Sequence, residues 1–161
     1  MSQTSDTQPF ERWESNVRSY SRAFPAVFSR AKNAEVWDEQ GRKWIDFFSG
    51  AGTLNYGHNP PSIQKKLVEY ISSDGIVHAL DSYTVAKREF LARFGKDVLE
   101  PRGLDFKVQC CGPTGANSVE AALKLVRRVT GRDGVIAFSG AYHGMSLGAA
   151  SITGAKSTRR A

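Results

Sequence analysis

The stretch KVQCCGPTGANSVEAALKLVRRVT, residues 107–130, decides the fold class. Residues 107–111 predict a buried strand, and residues 112–115, which contain Gly and Pro, predict a turn. Apolar residues then recur at helical spacing over 116–130, and residues 134–138, GVIAF, predict a second strand. A strand, a helix and a strand within about 30 residues form a βαβ unit. The sequence therefore predicts α/β architecture with a parallel sheet and a right-handed crossover.

The rest of the chain predicts further helices and one hairpin. Apolar residues at helical spacing over 10–28 predict an N-terminal helix that weakens at its proline. Two short runs rich in Val, Trp and Ile flank a polar turn in residues 34–46, which is typical of a β-hairpin. Residues 47–61, rich in Gly, Asn and Pro, predict a loop. Two more helices are expected, one opening at Pro61 and one over Thr84 to Val98.

The helix predicted over 116–130 has a recognisable surface and end. Its apolar face consists of Val119, Ala122, Leu123 and Val126. Glu120 and Lys124 have the order and spacing of an i,i+4 ion pair on the exposed side. Gly131 can adopt the left-handed backbone conformation that caps a helix end.

Composition and charge exclude several functional classes. The chain has 161 residues, 40% of them hydrophobic and 24% charged, as in ordinary globular proteins. No apolar run approaches the roughly 20 residues that span a bilayer, so no membrane association is expected. The N-terminus, predicted to be disordered over 1–9, lacks the pattern of a signal peptide. The formal net charge of +6 comes without a basic stripe interleaved with aromatics, so we expect no nucleic-acid partner.

The cysteines and histidines suggest neither a disulfide nor a metal site. Cys110 and Cys111 are adjacent, and neighbouring residues on a strand point to opposite faces. A structural disulfide between them is therefore not expected, and a reducing cytoplasm fits the chain best. The three histidines show no ligand spacing, so no metal site is predicted.

The turn at Gly112-Pro-Thr-Gly-Ala116 has the features of an anion-binding site. Backbone N–H groups at a helix start have no intrahelical partner, and the helix dipole adds a positive partial charge. Gly115 leaves room for close approach and Thr114 offers a hydroxyl, so a phosphate suits this turn. The residues match neither the P-loop nor the dinucleotide-binding fingerprint. Taken alone, the turn is equally consistent with a tight strand–helix connection that binds nothing.

The segment Ser139-Gly-Ala-Tyr-His-Gly144 follows the second predicted strand. Ligands of open α/β sheets bind beyond the carboxyl ends of the strands, so this segment and the Gly112–Ala116 turn would open toward the same crevice. Tyr142 can stack on a flat heterocycle there, and the glycines let it approach. The alternative is an ordinary turn with a core tyrosine and a surface histidine.

The loop of residues 49–60 is a third candidate. Gly50 and Gly52 give a compact, mobile loop, and Tyr56 and His58 offer hydrogen bonds. The residue types are consistent with a substrate-side loop or with a structured connection.

Several blocks of the sequence, taken in order, match a known pattern. GPTGANSVEAALKLVRR (112–128) and FSGAYHGMSLGA (138–149) contain a Thr-Gly helix start and a later aromatic-His-Gly. Together they resemble the class III aminotransferases of fold type I. The blocks EVWDEQGRKWIDFFSGAGTLNYGHNPP (35–61) and PRGLDFKVQCCGPTG (101–115) are similar to the diaminobutyrate–2-oxoglutarate transaminases of ectoine and related pathways. The resemblance extends over roughly residues 10–154.

The resemblance implies the N-terminal part of a fold-type I transferase. Its N-terminal helix and β-hairpin, in residues 10–60, would belong to a small domain. Residues 61–161 would begin the mainly parallel sheet of a large cofactor-binding domain that is incomplete here. Because later strands are missing, exposed apolar sheet edges and poor solubility are expected.

The resemblance also implies a cofactor, pyridoxal 5'-phosphate, and its contacts. The amides of Gly115 and Ala116 would hold the phosphate, and Tyr142 would stack on the pyridine ring. The implied cofactor-binding residues are Thr114, Gly115, Ala116, Tyr142, His143 and Gly144, and the implied substrate-side residues are Gly50, Gly52 and Tyr56.

The implied activity is transamination. L-Glutamate would donate its amino group to aspartate semialdehyde, giving L-2,4-diaminobutyrate and 2-oxoglutarate, in a cytoplasmic homodimer. None of the nine lysines has the sequence context of the family's Schiff-base lysine. The chain is therefore expected to contain no catalytic residue and to be inactive alone.

Two other interpretations stay open at this stage. The cofactor motifs are shared by aminotransferases that act on other ω-amino substrates. A non-catalytic α/β module that binds a phosphate-bearing ligand, or that pairs with a partner chain, would also contain the Gly112–Ala116 turn. The sequence does not separate these possibilities.

Overall fold

The computed structural model describes residues 6–17 and 20–154. The chain divides into two compact units, Met1–Ser82 and Tyr83–Ala161. Within the described ranges, no helix is both long enough and apolar enough to cross a membrane. The predicted disordered segment 1–9 lies partly outside these ranges, and Gln8 and Pro9 already belong to the first helix.

The N-terminal unit contains short helices and one antiparallel sheet. Its elements are α1 (Gln8–Trp13), α2 (Tyr20–Ala23), β1 (Phe28–Lys32), β2 (Glu35–Asp38), β3 (Lys43–Ile45), α3 (Ser49–Gly52) and α4 (Pro61–Ser72). The predicted single helix over 10–28 is wrong, because α1 ends at Trp13 and Phe28 begins a strand. Trp13 is 75% exposed and Val17 94% exposed, so no packing supports a longer helix here.

The predicted hairpin is confirmed, and a third strand extends it. The strand order is β1-β2-β3, with both pairs antiparallel; Val36 pairs with Ala31 on one side and with Trp44 on the other. β1 has no alternating apolar pattern, which is why the sequence did not predict it. The Arg30 guanidinium lies 3.8 Å from the centre of the Trp37 ring on the neighbouring strand, a cation–π contact that stabilises the pair.

Asp38 organises the turn between β2 and β3. Its carboxylate is buried and accepts hydrogen bonds from the Arg42 backbone (2.8 Å), the Arg42 Nε (2.7 Å) and the Trp44 indole (3.2 Å). Burial raises the pKa of Asp38, but the hydrogen bonds and the Arg42 charge together outweigh it and lower the pKa below 3.8. The turn is therefore held by an ionised carboxylate.

The loop predicted over 47–61 is a structured connection over residues 47–60 that includes the short element α3, and Pro61 already begins α4. The Asp46 carboxylate accepts from the backbone N–H groups of Phe48 (2.7 Å) and Ser49 (3.0 Å) and lies 2.7 Å from the His58 Nε2. Hydrogen bonding by His58 lowers the pKa of Asp46, with the Ser49 amide next in effect. Gly57 has a φ of 78°, and a Cβ there would lie 2.9 Å from the Cα of Asn33, so only glycine fits.

The C-terminal unit is mostly helical. Its helices are α5 (Val85–Phe94), α6 (Gly115–Thr130) and α7 (Leu147–Ile152), with a π-helical turn (Gly95–Leu99) and a 3-10 turn (Glu100–Arg102) after α5. The predicted helices from Pro61, over 84–98 and over 116–130 are confirmed. Thr84 caps α5 by accepting from the Lys87 amide, and Gly131 ends α6 with a φ of 66°.

The two strands predicted around α6 are not formed in the described part of the chain. Residues 107–111 and 134–138 are not assigned as strands, and the only sheet described is β1-β2-β3. An extended segment becomes a strand only when a neighbour pairs with its backbone. The two segments of a βαβ unit need not be adjacent in the sheet, and no other described segment pairs with them.

Apolar side chains are largely exposed, as expected. Leu123 on α6 and Ala149 on α7 are the buried hydrophobic residues of the described ranges, and these two helices contact each other. Ile136 is 96% exposed and Phe138 82% exposed in the predicted strand. Exposed apolar surface of this extent favours association.

We predict that the β2–β3 turn loses stability in acid because of Asp38. A carboxyl whose pKa is lowered by folding stabilises the fold above its ordinary pKa of 3.8, and this contribution is lost as the pH falls through the folded-state value. The Asp38→Asn variant should be less stable at neutral pH and should lose the part of the acid dependence below pH 3.8. Thermal unfolding between pH 2 and pH 7 measures both; Glu39→Gln, which changes an exposed carboxylate next to Asp38, is the control. Identical pH profiles of wild type and Asp38→Asn would contradict the prediction.

Candidate cofactor site

The Gly112–Ala116 turn leads directly into α6. Thr114 is the N-cap residue and has an extended backbone, with φ −121° and ψ 154°. Its carbonyl accepts from the Asn117 amide at 3.2 Å, and its hydroxyl is hydrogen-bonded to the Asn117 side chain. Gly112 has a φ of 120°, a conformation that favours glycine. These contacts fix the first turn of a helix of sixteen residues.

Neither the backbone conformation nor the protein's own packing requires a glycine at position 115. Its φ is not in the left-handed region, so the backbone conformation does not require glycine. A Cβ at this position would meet no protein atom within 4 Å, so Gly115 faces open space. The amides of Gly115 and Ala116 belong to the first helical turn, where N–H groups have no intrahelical acceptor. The turn therefore combines free donors, positive helix-dipole charge and room for an anion.

The Ser139–Gly144 segment is held by hydrogen bonds to the end of α7. The Gly154 amide donates to the Ala141 carbonyl at 2.6 Å, and the His143 amide donates to the Thr153 hydroxyl at 3.2 Å. Thr153 is buried and in turn donates to the Ala149 carbonyl at 2.9 Å. Tyr142, between these anchors, is 70% exposed. The segment is fixed while its aromatic side chain stays accessible.

Gly144 brings this segment against the first turn of α6. A Cβ at Gly144 would lie 2.6 Å from the Ala116 Cβ and 3.3 Å from the Ala149 Cβ, and its φ is 125°. Both the space and the backbone conformation therefore require glycine. The close approach places the Tyr142–Gly144 residues beside the Thr114–Ala116 residues.

All six predicted cofactor-binding residues line one cavity of about 650 Å³. Its wall consists of residues 114–117, 119, 120 and 142–146. The volume lies within the range of small-molecule sites. One side of the cavity offers the amides of an α6 N-terminus and the other an exposed tyrosine ring. This arrangement suits a flat ring that bears a phosphate.

Glu120 lies in this wall, although the sequence did not assign it to the site. We predicted an ion pair with Lys124 on the exposed side of α6, and that prediction is wrong. One oxygen of Glu120 accepts from the Ser146 hydroxyl (2.6 Å), the Gly148 amide (2.8 Å) and the Ala149 amide (3.0 Å). The Ser146 hydroxyl is the largest cause of a lowered pKa at Glu120, followed by the Ala149 amide. Helical spacing indicated the pair with Lys124, but the donors come from a distant segment.

Comparison with known proteins assigns the chain to a family. Residues 17–161 match the model of the aminotransferases of class III. The chain belongs to this family. Class III aminotransferases depend on pyridoxal phosphate. The free donors, the open space at Gly115 and the exposed Tyr142 in one cavity fit that cofactor.

Individual relatives are similar over nearly the whole chain. A diaminobutyrate–2-oxoglutarate transaminase from Nocardia farcinica is 58% identical over 94% of the chain, which is 35% of that protein. One from Halomonas elongata is 53% identical over 96% of the chain and 37% of that protein. The chain therefore spans about a third of the length of these relatives.

The solved structures confirm the predicted fold class. A taurine:2-oxoglutarate aminotransferase from Bifidobacterium kashiwanohense, solved in complex with PLP and glutamate, superposes with a TM-score of 0.74. The match covers 93% of this chain and 33% of that one, at 25% identity. The chain thus has the architecture of a fold-type I transferase over the corresponding third.

The remaining predicted residues lie in the N-terminal unit. Gly50 has a left-handed φ of 57°, Gly52 has a φ of 86°, and Tyr56 is 81% exposed. His58 is bound to Asp46 and holds the loop together, so its role here is structural. The assignment of Gly50, Gly52 and Tyr56 to substrate binding stays a prediction. Cys110 and Cys111 are free, as predicted.

We predict that Gly144→Ala disrupts the cavity. The added Cβ overlaps the Ala116 side chain and forces a left-handed conformation on alanine, which should cost about 1–3 kcal/mol of stability. Gly134→Ala is the matched control, because its Cβ would meet nothing within 4 Å and its φ is not in the left-handed region. Denaturant unfolding of the complete natural polypeptide that contains these residues measures both. Equal stability of the two variants would show that Gly144 does not set the approach to Ala116.

Proposed function

We propose that residues 1–161 provide the cofactor-binding cup of a diaminobutyrate–2-oxoglutarate transaminase. The observation that carries the proposal is the single cavity that unites Thr114, Gly115 and Ala116 with Tyr142 and Gly144. The 58% and 53% identity to two such transaminases supports the choice of this branch within the class III family. The reaction would transfer the amino group of L-glutamate to aspartate semialdehyde.

The phosphate contacts follow from the α6 N-terminus. The Gly115 and Ala116 amides would donate to two phosphate oxygens, and the helix dipole would favour the negative charge. The Thr114 hydroxyl, now directed to Asn117, lies at the same turn and would add a third donor. A dianionic phosphate bound by backbone amides fixes one end of the ligand without any lysine or arginine side chain.

The ring contact follows from Tyr142. Its side chain is largely exposed on the cavity wall, so a ligand ring laid against it would bury apolar area on both partners. His143 and Gly144 hold the tyrosine backbone through the contacts with Thr153 and Ala116. When bound, pyridoxal phosphate would withdraw electrons from the substrate Cα and so make its proton acidic.

The other parts of the reaction are assigned by the same proposal. The covalent attachment of the cofactor and the proton transfer at Cα need a lysine. None of the chain's nine lysines has the expected sequence context, so we propose that the lysine is not among residues 1–161. We further propose that residues 10–60 belong to a small domain, with Gly50, Gly52 and Tyr56 on the substrate side. Residues 61–161 would belong to the large domain of a cytoplasmic homodimer in an ectoine-type pathway.

We predict that Tyr142 contributes to cofactor affinity through its ring. Tyr142→Ala should weaken the binding of pyridoxamine 5'-phosphate about tenfold, because an aromatic stacking contact and its buried area are lost. Tyr142→Phe should keep the affinity. Tyr83→Ala, which removes a tyrosine that is 99% exposed in the same unit, is the control and should have no effect. Fluorescence titration of the complete natural polypeptide that contains residues 1–161 gives the dissociation constants. If pyridoxamine 5'-phosphate binds tightly and Tyr142→Ala does not change its affinity, Tyr142 is not part of the cofactor site.

We predict that the terminal (C4) amino group of L-2,4-diaminobutyrate is transferred to 2-oxoglutarate by the same polypeptide, which gives aspartate semialdehyde and L-glutamate. In this reverse direction the unstable semialdehyde is a product and need not be supplied as a substrate, and the glutamate formed is measured directly. 4-Aminobutyrate and ornithine are the comparison donors, since they also carry a terminal amine. If 4-aminobutyrate or ornithine reacts as fast as diaminobutyrate, the result would favour the alternative function, an aminotransferase that acts on other ω-amino substrates. Binding of the cofactor without any transfer would favour a non-catalytic module.

A further inference from the structure

The Glu120 carboxylate caps a helix to which it does not belong. Its Oε1 accepts from the Ser146 hydroxyl and from the Gly148 and Ala149 amides, at 2.6, 2.8 and 3.0 Å. These are the N-cap residue of α7 and two residues of its first turn. At most helix starts the N-cap side chain itself accepts such amides. The Ser146 side chain accepts none of them and donates its hydroxyl to Glu120 instead.

The position of Glu120 makes this cap a link between the two halves of the cavity. Glu120 lies on α6, whose first turn contains the proposed phosphate-binding residues, and Ser146 lies two residues after the Ser139–Gly144 segment, which contains Tyr142. Gly148 leaves room for this carboxylate, because a Cβ there would lie 2.3 Å from the other Glu120 oxygen and would displace the side chain. Glu120 itself lines the cavity. A polar bond therefore joins α6 to the end of the aromatic segment.

A second anchor, the Thr153 hydroxyl, holds the Ser139–Gly144 segment to α7 and not to α6. The Thr153 hydroxyl binds the His143 amide and the Ala149 carbonyl, which ties the segment to α7. That contact fixes the internal shape of residues 142–153. It does not fix their distance from α6. Among the polar contacts of the described residues, the hydrogen bonds of Glu120 are those that join α6 to α7 and to its N-cap residue, Ser146.

From this geometry we propose that Glu120 is a positioning residue that, together with the Gly144–Ala116 contact, holds the Tyr142 ring at its distance from the phosphate-binding turn. The inference rests on the proposed function, since it assigns the cavity to a phosphate-bearing ring. The ring and the phosphate of such a ligand belong to one molecule and lie at a fixed distance from each other. The tyrosine ring and the phosphate-binding turn must therefore lie at a matching distance. Glu120 would hold that separation through its hydrogen bonds to Ser146, Gly148 and Ala149.

A carboxylate suits this role better than an amide. Ionised, it is an acceptor at both oxygens and can satisfy several donors at once. Its negative charge also meets the positive end of α7, which strengthens each bond. The side chain is about one and a half turns into α6, where the helix backbone is already fixed. The link is therefore short, charged and anchored at both ends in helices.

The test uses the complete natural polypeptide that contains these residues, with Glu120→Ala and Glu120→Gln. Glu89→Ala is the matched control, because Glu89 is an exposed glutamate on α5 of the same unit. Hydrogen exchange of the Gly148 and Ala149 amides, measured without ligand, reports the link itself. Titrations with pyridoxamine 5'-phosphate and with inorganic phosphate report its effect on the cavity. Far-ultraviolet circular dichroism confirms that each variant is folded.

We expect Glu120→Ala to speed hydrogen exchange at the Gly148 and Ala149 amides. It should also weaken the binding of pyridoxamine 5'-phosphate about tenfold, which is the effect expected from the loss of one charge-assisted hydrogen bond. Binding of inorganic phosphate should be unchanged, because the Thr114–Ala116 turn does not depend on the link. Glu120→Gln keeps an acceptor and should fall between wild type and Glu120→Ala. If Glu120→Ala is unfolded, the same readouts on Glu120→Gln decide.

The outcomes separate the inference from the proposed function. Unchanged amide exchange in the variants would overturn the link, whatever the ligand. Faster exchange with unchanged pyridoxamine 5'-phosphate affinity would overturn the positioning role. Equal weakening of both ligands would also overturn it, since that result indicates a general loss of structure. A wild type that shows the link but binds inorganic phosphate and not pyridoxamine 5'-phosphate would overturn the proposed function.

Discussion

The close contact between Gly144 and Ala116 is the constraint on which the cavity depends. With no side chain at Gly144, the aromatic segment lies against the first turn of α6, and a Cβ would be only 2.6 Å from Ala116. Glu120 adds three hydrogen bonds a little further along the same helix. The free amides of the turn and the Tyr142 ring then border one space. Either element alone is an ordinary helix start or an ordinary turn.

Ionised carboxylates hold this protein's loops where its apolar contacts are few. Asp38 fixes the β2–β3 turn, Asp46 fixes the start of the 47–60 loop, and Glu120 fixes the start of α7. Each accepts backbone N–H groups, and in each case the pKa is lowered. Loop backbones have donors that no strand or helix satisfies, so a carboxylate that takes several of them specifies one conformation. Such loops are well defined even though few hydrophobic side chains near them are buried.

The family assignment and the geometry support different parts of the functional proposal. Family membership rests on the match over residues 17–161, and enzymes of this family depend on pyridoxal phosphate. The geometry supports the proposal of which residues would contact that cofactor, and it explains why Gly144 is a glycine, since a Cβ there would overlap Ala116. The choice of diaminobutyrate as substrate rests on relatives of which this chain spans about a third. Its test is therefore enzymatic.

The sequence by itself determined the helices from Pro61, over 84–98 and over 116–130, the hairpin, the glycine-containing turn before the last of these helices, and the family. Helical spacing, caps such as Thr84 and Gly131, and turn residues act over a few positions, so they are legible without the fold. Tertiary structure alone decided the rest. β1 exists because β2 pairs with it, the segments 107–111 and 134–138 are not strands because no described neighbour pairs with them, and Glu120 bonds to residues 26 to 29 positions away and not to Lys124. Partners that are distant in sequence leave no periodic signal, which is why Glu120 was visible only in the folded chain.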